Sequence, residues 1–279
     1  MLWSAWHLRM MPFMKASAKP SPPLILFAMV AIAVGIAFGF GVCTQDDAFI
    51  SFRYAENLSM GNGLVFNAGE RVEGFTNLLW TVLFAVIMFL GGEPVIASVI
   101  LGWIGVATLV LVTAQLAHRW LSRWGAIVAA GFVAFDSQMI LEGVEGLETV
   151  AYAAIVTAGV LAAWKQEDRW QGSAWFAVAT LMRPEAPLLW GATHLGLWTR
   201  DGASRERLLR SVRACFPVVL TVVLLTVWRV QYYGDWLPNT FYAKTGGVPL
   251  MRGLVYIGDH MWSHPILWLF ALGALHIKS

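Results

Sequence analysis

Residues 44–80 read TQDDAFISFRYAENLSMGNGLVFNAGERVEGFTNLLW, a polar island between a hydrophobic run over 23–43 and another that starts near Leu78. Only 13% of the chain is charged, yet this stretch holds two adjacent aspartates, two arginines, three glutamates and four glycines. Asp46 and Asp47 stand at the exit of an apolar helix, where two carboxylates repel unless something binds between or beside them. Stability gains nothing from that arrangement, so the island is the candidate active site. Residues 47–58 have helical spacing, with Ile50, Tyr54 and Leu58 on one stripe. This predicts a short amphipathic helix on a membrane surface, with Asp46 near its N-terminus. Gly61-Asn62-Gly63 ends that helix, Ala68-Gly69-Glu70 turns the chain again, and Thr76 or Asn77 caps the next helix.

Outward from the island the chain is apolar. Of 279 residues 58% are hydrophobic, and the charged fraction is about half the roughly 25% usual in soluble domains. Fifteen tryptophans fit the same reading, because indole favours the membrane–water interface. A net charge of +2, spread over short loops, leaves no nucleic-acid footprint. Residues 1–22 carry Arg9, Lys15 and Lys19 with no acid, which predicts a cytoplasmic leader. Residues 23–43 then give 21 uncharged positions, enough for a span of about 20, and put the island on the extracytoplasmic side. Cys43 and Cys215 fall on opposite membrane sides in this topology and do not pair.

Further apolar stretches cover 78–90, 95–116, 125–141, 150–164, 170–198, 214–230 and 265–277. Arg183-Pro184-Glu185 interrupts the fifth of these, where proline stops or kinks a helix. Residues 200–213 carry five arginines against two acids, a cytoplasmic mark. Counting forward from the first span puts residues 118–123 outside, against the positive-inside rule. One of the short stretches, 78–90 or a half of the segment broken at Pro184, therefore falls short of crossing.

Each polar motif has a chemical and a structural reading. In the Asp46–Asp47 pair one aspartate is a general base for an acceptor hydroxyl, and its neighbour orients substrate, tunes the pKa or holds a cation; the alternative is a helix cap with a solvated acid. Arg53 grips a lipid phosphate, or else snorkels or pairs with Glu56. In RVEGFTN, Glu73 and Asn77 hydrogen-bond sugar hydroxyls while Trp80 or Phe75 stacks on a ring face; a helix-start turn with an interfacial aromatic is the plainer explanation. Glu142, Glu145 and Glu148 lie three apart, so the segment reads as an interfacial loop, from which Glu148 reaches the site. Arg183 and Glu185 read as a structural ion pair, with lipid phosphate as the alternative partner of Arg183. YYGDWLPNTFYAK, residues 232–244, combines Asn239, Tyr242 and Lys244 with aromatics, suited to sugar recognition or to an aromatic belt. The six histidines are scattered, and no metal-ligand spacing, nucleotide-phosphate loop or nucleophile elbow is present.

An Asp-Asp pair after the first membrane helix resembles the GT-C class of membrane glycosyltransferases. The ordered blocks DDAFISFRYAENL, GNGLVFNAGERVEGFTNLLW, EGLET, MRPEA and YYGDWLPNTFYAK resemble, more narrowly, the terminal arabinofuranosyltransferases of actinobacterial cell walls and their bacterial relatives. The resemblance implies an all-α, polytopic transmembrane bundle over residues 23–279, the N-terminal part of a longer family architecture, with a juxtamembrane-helix loop after the first span. It implies an inverting glycosyltransferase of the bacterial cell membrane with an extracytoplasmic site. The donor would be a polyprenyl-phosphate sugar, the acceptor a cell-envelope glycan or lipid-linked hydroxyl. Asp46 and Asp47 become the catalytic residues. Arg53, Tyr54, Glu73, Thr76, Asn77, Trp80, Glu148, Arg183, Asn239, Tyr242 and Lys244 become substrate-binding positions. No cofactor is expected, a divalent cation being needed only by some members of the wider class. The competing class is a non-catalytic accessory membrane protein, or a transporter, built on the same core.

Overall fold

A computed structural model describes residues 23–165, 170–201, 204–244, 250–263 and 265. All regular structure among them is helical, as the apolar periodicity predicts. The helices are α1 (Pro23–Phe40), α2 (Asp46–Ser59), α3 (Leu78–Phe89), α4 (Pro94–Ala117), α5 (Arg123–Ala134), α6 (Ser137–Glu142), α7 (Thr149–Lys165), α8 (Trp170–Met182), α9 (Ala186–Asp201), α10 (Arg205–Ala214), α11 (Phe216–Tyr233), α12 (Asn239–Lys244) and α13 (Leu250–Ser263). The leader over 1–22 and the apolar stretch predicted over 265–277 lie outside the described residues, apart from position 265.

α4 is the axis of the bundle. Glu93 starts it by accepting from the amides of Val95 (3.1 Å) and Ile96 (2.7 Å), and Pro94 occupies the first turn, where a missing N–H costs nothing. Around it pack α1, α5 and α7, joined by Met29 and Ala33, Val106 and Val110, Ala130 and Ala134, and Val150 and Ala154. Small residues set how close the helices come. A side chain at Gly105 would meet the backbone of Ala151, and one at Gly102 would drive into the carbonyl of Gly143. On the far side, α7, α8 and α11 follow one another across the bundle.

Outside that core the surface is apolar. Phe27, Phe132 and Leu188 are 71%, 76% and 76% exposed, an arrangement that water penalises and lipid does not. Two helices among the described residues are long and apolar enough to cross a membrane: α4, and the nearly continuous rod over Leu208–Tyr233 formed by α10 and α11. The other apolar helices are shorter. α3 has 12 residues and α8 has 13, giving about 18 and 20 Å against a hydrocarbon core of about 30 Å. All three short pieces suspected from the topology count fall below that thickness, α9 included with its 16 residues.

One predicted stretch divides in two. Residues 125–141 break at Phe135-Asp136, because the Asp136 carboxylate accepts from the amide of Met139 (2.9 Å) and starts α6 as a new helix. The break at Pro184 appears as expected, separating α8 from α9.

Candidate active site

α2 is the platform. Its residues Ala48, Ser51, Phe52, Tyr54, Ala55 and Asn57 are buried, whereas Phe49 and Arg53 face out, so the predicted amphipathic helix forms over nearly its predicted range. Phe52 packs edge-on against Phe84 of α3, centroids 4.8 Å apart. Asp46 and Asp47 open the helix, and both are exposed. The Asp46 carboxylate accepts from the amide of Asp47 (3.0 Å), and both charges sit favourably at the positive end of the helix dipole. The amide of Gln45, the residue before, donates to the Glu145 carbonyl (2.9 Å), which fixes the start of α2 to the EGLET loop. Gly146 makes this approach possible: it adopts φ +85°, and a side chain there would press on Thr44, Ala48 and Ser98. Thr44 Oγ1 and one carboxylate oxygen of Glu145 are buried at that joint with no hydrogen-bond partner among the described residues.

Beneath the platform runs a polar chain. Ser51 Oγ and Thr81 Oγ1 both donate to Asn77 Oδ1, each at 3.1 Å. Asn77 Nδ2 donates to Glu148 Oε2 (2.7 Å), and Arg183 Nε donates to Glu148 Oε1 (2.7 Å). Arg183 Nη2 donates to Thr149 Oγ1 (2.8 Å), and the guanidinium lies 5.6 Å from the centre of the Tyr152 ring. Glu148 thus has both oxygens filled. A buried carboxylate requires such pairing, while a half-exposed one is content with water. The expected Arg183–Glu185 pair is present but long, at 4.0 Å with Glu185 49% exposed, and Glu148 takes the close contact. Asn77 occupies the cap position of α3, but its side chain makes no capping bond and serves this chain instead.

The second half of the island is clasped from a distance. Glu73 is buried and takes both Nε and Nη2 of Arg229, the latter at 3.1 Å, from the end of α11. The Glu73 carbonyl accepts from the Asn239 amide (2.9 Å), so one residue ties α11 and α12 to the loop. Burial pushes the Glu73 carboxyl above its ordinary value, and Arg229 offsets part of that. Tyr54 Oη donates to the Val72 carbonyl (2.6 Å) and accepts from the Gly74 amide (2.8 Å). Burial raises its phenol also. Tyr232 accepts from the Leu64 amide (3.0 Å), and Tyr233 donates to the Leu64 carbonyl (2.7 Å). Asn57 Nδ2 reaches the carbonyls of Val65 and Phe66, both at 2.9 Å.

The remaining expected positions divide plainly. Arg53 makes the local pair with Glu56 (2.7 Å) and donates to the Phe66 carbonyl (3.2 Å), while staying about half exposed. Trp80 donates to the Gly146 carbonyl (3.1 Å) and is buried, and Phe75 is buried beside Tyr54, so neither ring presents a face for a sugar to stack on. Thr76, Asn239 and Tyr242 are at the surface or partly so, and the side chain of Lys244 lies outside the described residues. Sequence reasoning passed over Arg229, Ser51, Thr81 and the hydroxyls of Tyr232 and Tyr233. A signal existed for Arg229: a lone arginine in VVLLTVWRVQYY must find a partner.

α2 and four other separated motifs therefore come together here. Two curated proteins are similar to most of this chain. The terminal beta-(1->2)-arabinofuranosyltransferase of Mycobacterium tuberculosis (strain ATCC 25618 / H37Rv) is 28% identical over 253 aligned positions, 81% of this chain and 40% of that protein. The protein of the same name in Corynebacterium glutamicum is 28% identical over 304 aligned positions, 94% of this chain and 43% of its own. The chain resembles the terminal arabinofuranosyltransferase family. It spans about two fifths of the length of these relatives. No family model matches it, and no solved structure does. The similarity to the terminal arabinofuranosyltransferases runs through most of the chain rather than through the island alone.

Proposed function

We propose that the chain is the site-bearing transmembrane part of a glycosyltransferase. It moves a sugar, arabinofuranose by the names of its relatives, from a polyprenyl-phosphate donor to a hydroxyl of a cell-envelope glycan or lipid-linked acceptor. The observation that carries this reading is the exposed Asp46–Asp47 pair, held at the end of a helix whose base is tied to three distant polar motifs. Such hydrogen-bonded ties are more order than a solvated helix cap requires.

In the proposed step, Asp46 takes the proton of the acceptor hydroxyl as its oxygen attacks the anomeric carbon. The bond from that carbon to the phosphate oxygen breaks, and the electron pair leaves with the polyprenyl phosphate, inverting the centre. Arg53 and Lys244 offset charge on the departing phosphate, and Asp47 orients the acceptor. Arg183 and Glu148 support the floor of the site instead of touching substrate. Trp80 is part of that floor as well. The lipid tail lies between apolar helices of a GT-C-like bundle in the bacterial cell membrane, with the island extracytoplasmic. No metal is required in this scheme.

The test is Asp46→Asn in the full chain, assayed in membranes for transfer from a radiolabelled polyprenyl-phosphate sugar. The expected result is loss of transfer by at least about 100-fold, with insertion and thermal stability unchanged. Full activity in the variant would overturn the assignment.

A further inference from the structure

The arginines of α10 take no part in that reaction. Its sequence, RERLLRSVRA, sets four arginines against one glutamate. At 100° per residue, Leu208, Leu209 and Val212 share one arc, with Arg205 inside it, Arg213 along one edge and Arg210 farther round on the same side. The three apolar side chains are 44%, 46% and 56% exposed, whereas Ser211 and Ala214 are buried and α10 meets α8. So the bundle covers one side of this helix and leaves an arginine-edged apolar arc uncovered.

The helix runs into α11 with only Cys215 between them. α11 has 18 residues, about 27 Å of helix, and ends at the Arg229–Glu73 joint below the island. α10 therefore sits at the membrane surface opposite the candidate active site, given the reading of α11 as a span.

We propose that α10, the end of the α10–α11 rod where it leaves the bilayer, binds anionic phospholipid of that leaflet. Leu208, Leu209 and Val212 enter the acyl region, and the guanidiniums of Arg205, Arg210 and Arg213 hold headgroup phosphates. Charge and continuity with the span select this occupant. A neutral lipid leaves the arginines without counter-charge, and a short arc bordered by cations suits an acidic lipid surface.

The full chain, with Cys43 and Cys215 replaced by serine, is reconstituted in vesicles of phosphatidylcholine containing phosphatidylglycerol. Spin-labelled phosphatidylglycerol and phosphatidylcholine then report the lipid held at the protein surface. A selectivity for phosphatidylglycerol of about threefold or more is expected. It falls towards one in the R205Q/R210Q/R213Q variant and, in the unaltered chain, on raising salt from about 0.1 to about 1 M. The salt arm decides even where the triple variant does not fold. A nitroxide at Val212→Cys should be accessible to oxygen. Equal retention of the two lipids, salt-independent selectivity, or a nitroxide shielded by a second copy of the chain would overturn the proposal. A chain that fails to float with the vesicles would overturn the membrane reading itself, a separate outcome.

Discussion

Arg229 and Glu73 show how much a single buried pair can decide. Removing one partner leaves an uncompensated charge in a desolvated place, which typically costs about 3–5 kcal/mol. Arg229→Met is expected to lower thermal stability in detergent by an amount of that order, and Arg229→Met with Glu73→Gln to lower it less. The sign of the pH dependence follows from the raised Glu73 carboxyl. The folded state binds that proton more readily than the unfolded chain, so stability is greatest below the ordinary carboxylate value and falls as pH rises through the raised one. Arg229→Met should steepen this fall, and Glu73→Gln should abolish it, in melts recorded from pH 4 to 8. A second prediction concerns Asn77, which accepts from Ser51 and Thr81 while donating to Glu148. Asn77→Ala strands three buried polar groups, at about 1–3 kcal/mol for each left unsatisfied. Asn77→Asp should be worse than Asn77→Gln, because it sets a carboxylate against Glu148.

Between helices, the decisive features are small residues and capped breaks. Gly102 lets α4 lie against the Gly143 carbonyl, and neither backbone can yield cheaply. Gly102→Ala is expected to destabilise by about 1–3 kcal/mol, read from the same melts, whereas alanine at Gly35, where nothing lies within 4 Å, should be tolerated. Gly63 is a different case. It adopts φ +89°, and a side chain would strike the Tyr232 hydroxyl that receives the Leu64 amide. Gly63→Ala should loosen the hold of α11 on the island, and Tyr232→Phe should relieve the clash but not the backbone strain. The double variant is then less destabilised than the sum of the singles.

At the scale of the molecule, the proposed topology puts the island and the arginine-rich helix on opposite membrane faces. In a chain with both native cysteines replaced by serine, Thr76→Cys should react with an impermeant maleimide added to intact cells. Arg205→Cys should react only after permeabilisation. Labelling of both from the same side would remove the proposed topology, and with it the placement of Asp46 at the outer leaflet.

The sequence by itself determined the helical class, the amphipathic α2 and its range, the start of α3 at Leu78, and the break at Pro184. These are local matters: hydrophobic period, turn glycines and a proline that cannot continue a helix. It also marked Arg183 as a charge in need of a partner, and Glu73, Asn77 and Glu148 as candidate site residues. Only the tertiary structure decided who those partners are. Glu73 binds Arg229 across 156 positions of sequence, and Arg183 makes its close bond to Glu148 across 35, keeping only a 4.0 Å contact with Glu185 two positions away. Trp80 and Phe75, read as candidate sugar platforms, lie in the core, Trp80 packed with Phe52 and Phe84 and Phe75 with Tyr54, Leu64 and Tyr233. Partner choice depends on which groups folding removes from water, and that is set by packing between helices, which no local pattern of residues records.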